Sequence, residues 1–130
     1  MPVFEHRDLP LLEIPRIRTR VLVSAERGAT ATEVWEQEMP ADGHIPLHYH
    51  DVEEVLVLLS GVVELQLGDE LQRATAPATV LIPARQPHSL RPDSEETVHL
   101  LAFFPCVSPN NFTPEGKPVR LPWQPALPDG

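Results

Sequence analysis

Three histidines and one glutamate lie at spacings that suit a metal ion. His48, His50 and Glu54 fall within one short segment, and His88 follows a later apolar run. Two residues separated by one lie on the same face of an extended strand, about 7 Å apart, so the imidazoles of His48 and His50 can converge on one ion. Three nitrogens and one carboxylate oxygen suit a divalent transition metal such as iron, manganese, nickel, zinc or copper. We predict a metal site formed by His48, His50, Glu54 and His88.

Neighbouring polar residues are weaker candidates for the same site. Glu53 lies one position from Glu54, and on a strand that shift points its side chain to the opposite face. His44 lies four residues before His48, where it is either exposed to solvent or close to the site. Tyr49 separates the two histidines and is expected to pack on the other face. The sequence identifies no general acid or base, so the catalytic residues are unknown at this stage.

Strands must position these side chains, because short apolar runs bounded by Gly, Pro, Asp and Ser recur along the chain while helical spacing is hard to find. This pattern is typical of an all-β sandwich or barrel. The predicted strands lie at 18–24, 32–39, 45–50, 54–60, 62–67, 71–75, 79–82, 88–91 and 97–104. The segment from Leu67 to Leu71 predicts a tight hairpin turn.

Two of the predicted strands carry information about which face looks inward. In the strand at 32–39, the apolar character of Trp35 and Met39 favours an inward face that brings Gln37 near the pocket, whereas the reversed register would bring Glu36 and Glu38 there. The strand at 54–60 is apolar on both faces, with Glu54, Leu56 and Leu58 on one and Val55, Val57 and Leu59 on the other. The second face needs another sheet, a terminal arm or a second copy as cover, and we expect a homodimer.

The composition describes a single globular domain. The chain has 130 residues, of which 42% are hydrophobic, and no internal repeat or composition shift marks a second domain. We predict one domain over 1–130, with a β core at about 18–104 and arms at 1–17 and 105–130. Seven prolines between Pro105 and Pro128 leave the second arm few backbone donors for a sheet. It is expected to be extended, and both packing and disorder stay open for it.

Charge and hydropathy exclude several classes of partner. The net charge is -9 and no dense Lys/Arg run is present, so nucleic acid is not an expected partner. The longest nearly apolar stretch, 55–63, is far shorter than the roughly 20 residues of a membrane-spanning helix. Glu5, Arg7 and Asp8 lie where a secretory signal would need an apolar core, so the expected location is the cytoplasm. The single cysteine, Cys106, agrees with a reducing compartment.

The residues around the predicted ligands resemble the two motifs of the cupin superfamily. The first motif corresponds to Gly43, His48, His50, Glu54 and Gly61. Four residues separate Gly43 from His48, whereas the family pattern usually has five. The second corresponds to Pro77, Pro83, Arg85, His88 and Pro92. Only its proline and histidine are retained, since other residues replace the two glycines and the asparagine. The resemblance covers residues 43–92.

The resemblance implies a fold and a range of functions. The fold is a small jelly-roll barrel, or double-stranded β-helix, with the metal inside its mouth; many cupins of this length are homodimers. The implied activity is a dioxygenase-like or isomerase-like reaction on a small organic molecule, either anionic or bearing an enol or diol. The alternative is a non-catalytic module that binds or senses a metal or a small ligand, because cupins with the same ligands differ widely in function.

Overall fold

The computed structural model describes residues 2–125, and these form strands with two short 3-10 turns at His6–Asp8 and Ala25–Arg27. No helix in this part of the chain is long and apolar enough to cross a membrane. The strands, in chain order, are β1 (Leu12–Ile14), β2 (Ile17–Val23), β3 (Glu33–Met39), β4 (Ile45–His48), β5 (Glu54–Ser60), β6 (Val62–Leu67), β7 (Glu70–Thr75), β8 (Ala78–Ile82), β9 (His88–Pro92), β10 (Val98–Phe104), β11 (Asn111–Phe112) and β12 (Pro118–Val119).

Two antiparallel sheets enclose the core. One has the order β1-β2-β3-β10-β5-β8 and the other the order β4-β9-β6-β7, while β11 and β12 form a small separate hairpin. Strands that are distant in sequence lie side by side, as β10 does between β3 and β5. The chain crosses repeatedly from one sheet to the other, which is the topology of a jelly roll. The predicted all-β jelly-roll fold is confirmed.

Alternation along the strands sorts side chains between the barrel interior and the outside. In β3, Trp35 and Met39 are 4% and 1% exposed, and Gln37 shares their inward face. The inward register favoured from the sequence is therefore correct, and Glu36 and Glu38 face outward. The hydrophobic core continues across both sheets and includes Leu56, Leu58, Val63, Leu65, Ile82, Leu90, Val98, Leu100, Ala102 and Phe104.

The outside of the six-stranded sheet carries an apolar surface over β10, β5 and β8. The pairing of these strands aligns Phe103 with Val55 and Val55 with Leu81 in one row across the sheet. Leu59, Leu81 and Phe103 are 46%, 59% and 37% exposed. We call this surface, made by Val55, Val57, Leu59, Leu81, Leu101 and Phe103, the outer apolar face. It matches the two-sided apolar pattern that the sequence shows for β5.

Two turns explain the glycine pattern of the motifs. Gly61 joins β5 to β6 at φ +91°, and a Cβ there would lie 3.0 Å from the Cα of Val98, so both conformation and space require glycine. Arg85 stands where the second cupin motif has a glycine, and it keeps a left-handed φ of 67°. Its backbone N–H donates a hydrogen bond to the carbonyl of His50 at 2.7 Å. The turn before His88 is therefore held without glycine.

The C-terminal arm packs against the barrel as far as it is described. Phe112 pairs with Tyr49 through two backbone hydrogen bonds of 2.9 and 3.1 Å, and their rings stack at 5.0 Å. This pairing ends β4 at His48, two residues earlier than predicted. Gln124 links two parts of the arm, because its Nε2 donates a hydrogen bond to the carbonyl of Pro109 and its Oε1 accepts one from Nδ2 of Asn111. Residues 126–130 of the predicted arm lie outside the described residues.

Candidate metal centre

A cavity of about 500 Å³ opens between the two sheets at the end where the four predicted ligands lie. The N-terminal strands, β3, β4, β5, β9 and the C-terminal arm all contribute to its wall. Most of the lining is apolar: Ile14, Pro15, Ile17, Trp35, Ile45, Pro46, Leu47, Leu56, Leu90, Phe112, Val119, Leu121 and Trp123. The remaining lining residues are Gln37, His44, His48, Glu54, His88, Asn111 and Thr113.

The structure brings the four predicted ligands together: His48, Glu54 and His88 line one corner of this cavity, and the buried His50 contacts Glu54 there. His48 ends β4 and lies opposite His88, the first residue of β9, in the register of the two strands. One nitrogen of each of His48, His50 and His88 lies within 4.8 Å of those of the other two. Glu54 begins β5, and its Oε1 lies 3.1 Å from Nε2 of His88 and 3.4 Å from Nε2 of His50.

Backbone carbonyls orient all three imidazoles in the same way. Nδ1 of His48 lies 2.7 Å from the carbonyl oxygen of Pro46, and Nδ1 of His88 lies 2.9 Å from that of Gln86. Nδ1 of His50 lies 2.9 Å from the carbonyl oxygen of Asn110. A carbonyl can only accept, so each Nδ1 carries the proton and donates it. In each neutral ring the lone pair is then on Nε2.

The inner ends of these side chains form a set of acceptors without a donor. Nε2 of His50 and Oε1 of Glu54 are buried and have no hydrogen-bond partner among the described residues. Lone pairs facing each other at 3.1–3.4 Å repel unless a cation lies between them. A proton on an imidazole or a metal ion would supply it. Three imidazoles, each oriented through its Nδ1, and one carboxylate fit a divalent transition metal.

Protonation states at neutral pH also suit metal binding. Burial, together with the nearby His88 and His50, lowers the pKa of His48 to about 4. Burial by itself would raise the pKa of Glu54, but hydrogen bonding and charge from His50 and His88, when these are protonated, outweigh it and lower the pKa to about 2. Near pH 7 the site therefore offers a neutral His48 imidazole and an ionised Glu54 carboxylate, which are the forms that coordinate metals.

The neighbouring candidates take the places expected for them outside the cluster. Glu53 is exposed, and Tyr49 packs on Phe112 rather than facing the cluster. His44 is exposed on the rim of the cavity, so the solvent-exposed alternative describes it better than a place beside the ligands. His99 lies on the outer surface of the sheet, where its Nε2 is 3.0 Å from a carboxylate oxygen of Glu36.

Two residues that support the cluster were not predicted from the sequence. Asn110 orients His50 through its backbone carbonyl, an atom that every residue type possesses and that leaves no signal in the sequence. Glu33 is 3% exposed, and its carboxylate accepts hydrogen bonds from Nε1 of Trp35 at 2.7 Å and from the backbone of Ser108 at 3.0 Å. It thereby fixes the indole of Trp35 beside His50, with ring centroids 6.5 Å apart.

A profile of the Cupin domain family matches residues 35–104, which span β3 to β10 and include all four residues of the cluster. The chain belongs to the cupin family. A comparison of this cupin with curated protein sequences gives no match. The family assignment therefore depends on the profile, on the motifs and on the fold.

Several solved structures share the barrel. The polyketide cyclase RemF from Streptomyces resistomycificus aligns over 96% of this chain and 89% of its own, with a TM-score of 0.74 and 23% identity. Oxalate decarboxylase from Lactobacillus farciminis aligns over 85% of this cupin with a TM-score of 0.77 and 17% identity. Oxalate decarboxylase from Bacillus subtilis, described with Mn(II) centres, aligns over 84% of the chain with a TM-score of 0.74 and 11% identity.

The extent of these alignments limits what they say about activity. This cupin spans only 35% and 31% of the two oxalate decarboxylase chains, whereas it matches RemF over nearly the full length of both proteins. At identities of 11–23% the similarity establishes the barrel, and the barrel hosts many activities. The chemistry of this chain has to be argued from its own cavity.

Proposed function

We propose that this cupin is a metal-dependent enzyme in which His48, His50, Glu54 and His88 hold a divalent transition metal. Its substrate is a small, largely apolar organic molecule that carries an enol, diol or diketone group, and the reaction is oxygenase or isomerase-like. The observation that carries the proposal is the convergence of three oriented imidazoles and one carboxylate at one corner of a large, mostly apolar cavity, which His48, Glu54 and His88 line. Deep apolar cavities with a few convergent polar groups are typical of small-molecule sites.

The charges around the cavity narrow the substrate class. A divalent ion held by three neutral imidazoles and one carboxylate keeps formally one positive charge, which an enolate or a singly ionised diol can neutralise. The described residues that line the cavity include no lysine or arginine. A second negative charge on the substrate would thus lie unpaired against apolar walls, which is costly. The broader expectation of any anionic ligand narrows to enol-, diol- or diketone-bearing molecules.

The chain's own residues would position and shield such a substrate. The inward faces of Trp35, Leu56 and Leu90 offer flat and branched apolar contacts that exclude water from the ligand corner. Trp35 is wedged between Phe104, at a ring distance of 4.5 Å, and Trp123 of the C-terminal arm, at 5.0 Å. A metal bound by the cluster would polarise a substrate oxygen as a Lewis acid and, if redox active, give access to dioxygen chemistry.

The similarity to RemF supports the same substrate class. RemF is described as a polyketide cyclase, and polyketides are chains rich in ketone and enol groups. The agreement in length between the two proteins, with 89% of RemF covered, supports a cavity built from corresponding parts of the chain.

Turnover of diketones by protein loaded with defined metals tests this proposal. We expect zinc-, manganese- or iron-loaded protein to bind aromatic 1,3-diketones and to convert at least one, with product detected by mass spectrometry and oxygen uptake measured in parallel. Dicarboxylates such as oxalate should bind at least about tenfold more weakly, because their second charge stays unpaired. Tight metal-dependent binding across the panel without any product would favour the non-catalytic binding module instead.

We also propose that the outer apolar face joins two copies of this cupin in a homodimer. Its exposed side chains form a continuous row from β10 to β8, and the polar pair of Glu36 and His99 borders it on the same sheet. A large apolar patch bordered by polar residues is typical of a subunit interface. We expect sedimentation to give a dimer at micromolar concentration and Phe103→Asp to give a monomer. A monomeric wild-type protein would contradict this.

A further inference from the structure

Gln37 is a buried polar residue whose place in the cavity the metal cluster does not explain. It is 8% exposed, lies on the inward face of β3 and lines the same cavity as the ligand corner. Its Nε2 donates a hydrogen bond to Oγ1 of Thr19 at 3.2 Å, and Thr19 is fully buried. No hydrogen bond to Oε1 of Gln37 is found within residues 2–125, and this oxygen is not among the fully buried unpartnered atoms, so it is accessible from the cavity that Gln37 lines.

The strand register places Gln37 at the opposite end of the cavity from Glu54. Gln37 pairs with Leu100, and Leu100 pairs with Leu58 on β5. Leu58 lies four residues along β5 from Glu54, a distance of about 13 Å at the usual rise of a strand. Between these two rows the cavity wall is formed by Trp35 and Leu56, which are apolar and face inward. The cavity therefore has the ligand cluster at one end and Gln37 displaced along the strands from it, with apolar side chains of β3 and β5 between them; His44, Asn111 and Thr113 also line the cavity.

We propose that Gln37 is a specificity-determining residue that accepts a hydrogen bond from a hydroxyl on the far end of the substrate. The inference rests on the proposed function, since the near end of the substrate is taken to lie at His48, Glu54 and His88. It adds that the substrate is an extended molecule, apolar along its length, with an enol or diketone at one end and a hydroxyl at the other. Thr19 positions the amide by holding its nitrogen.

A purely structural role explains the presence of Gln37 less well than a role in ligand binding. Placing an amide and a hydroxyl on the inner side of the barrel gives up hydration, and the hydrogen bond between them leaves the amide oxygen facing a largely apolar cavity without a partner among the described residues. Leucine and valine would fill the same space without that cost. A hydroxyl group of the ligand can donate a hydrogen bond to Oε1 of Gln37, whereas a ligand without this hydroxyl leaves Oε1 unpaired.

A matched pair of probes tests this assignment on zinc-loaded, full-length protein. The probes are 1-(biphenyl-4-yl)butane-1,3-dione and the same molecule with a hydroxyl at the 4′ position, and binding is measured by calorimetry. We expect the wild-type protein to bind the hydroxylated probe about tenfold more tightly, as one neutral hydrogen bond gives. In Gln37→Leu the ratio should fall to about one, whereas affinity for the plain probe should persist or rise.

Gln66→Leu is the matched control, because Gln66 lies on β6 outside this cavity and its amide only bonds the carbonyl of Gly68. It should keep the wild-type ratio. Should Gln37→Leu fold poorly because Thr19 loses its partner, the double variant Thr19→Val/Gln37→Leu removes both polar groups and gives the same test. A wild-type ratio near one, or an unchanged ratio in Gln37→Leu, overturns the assignment of Gln37.

Zinc-dependent binding of the plain probe tests the proposed function separately. If the plain probe binds only in the presence of zinc, the ligand corner is supported whatever the ratio between the probes shows. If neither probe binds the zinc-loaded wild type, the result contradicts both the proposed binding of diketones in this cavity and the assignment of Gln37. The two failures therefore give different results in the same titrations.

Discussion

Replacing His88 with alanine is expected to lower the affinity for a divalent metal at least about 100-fold, because even the loss of a residue that only orients a ligand commonly costs 10- to 100-fold. Nε2 of His88 lies 3.1 Å from Oε1 of Glu54, and its ring is tilted against that of His48 at 4.3 Å. Removing the imidazole leaves two nitrogens and one carboxylate, and it opens the corner to water. Metal content after dialysis and competition with a chromophoric chelator measure the effect.

His44→Ala is the control for this experiment. His44 lies on the rim of the same cavity, but it is exposed and does not belong to the cluster. Its replacement should leave the stoichiometry and affinity of metal binding unchanged. A His88→Ala protein that binds zinc as tightly as the wild type would show that the cluster is not the metal site.

Leu58→Ala is expected to lower the free energy of unfolding by about 3 kcal/mol, in the usual range for a buried leucine cut back to alanine. Leu58 is fully buried between the sheets at the centre of β5, where it pairs with Leu100 on one side and Ala78 on the other. The rigid neighbours on both strands cannot close the resulting cavity. Unfolding in urea at one fixed protein concentration measures the change.

The next residue along the strand provides the comparison. Leu59 is 46% exposed on the outer apolar face, so Leu59→Ala should cost less than about 1 kcal/mol when both leucine variants are compared in the monomeric Phe103→Asp background. The two variants differ only in which side of β5 they change. Equal losses for both would mean that the strand does not have the inward and outward faces described above.

The sequence predicted the central strands well because their signal is local. β5 and β6 have the predicted bounds, since short runs rich in apolar residues fill them and Gly61 separates them. β1 was missed, because Leu12–Ile14 is too short to show alternation and forms a strand only by pairing with β2. The end of β4 was wrong for a similar reason, since Phe112 draws Tyr49 into a different pairing.

The site was predictable in its residue types but not in its assembly. The spacing of His48, His50 and Glu54 brings them together on adjoining elements, and this can be read locally. The approach of His88 depends on its pairing with His48 across two strands that are forty residues apart in sequence. The walls from the C-terminal arm, such as Leu121 and Trp123, have no periodic pattern and are fixed only by tertiary contacts.

The carbonyl contacts of the three imidazoles bear on how this chain tolerates mutation. The oxygens belong to Pro46, Gln86 and Asn110, and they would persist if any of these side chains were exchanged, provided the backbone path stayed the same. The orientation of the three imidazoles therefore depends on the backbone of these segments and not on the side chains of Pro46, Gln86 and Asn110. Substitutions around the cluster can therefore accumulate while the three Nε2 atoms stay where they are.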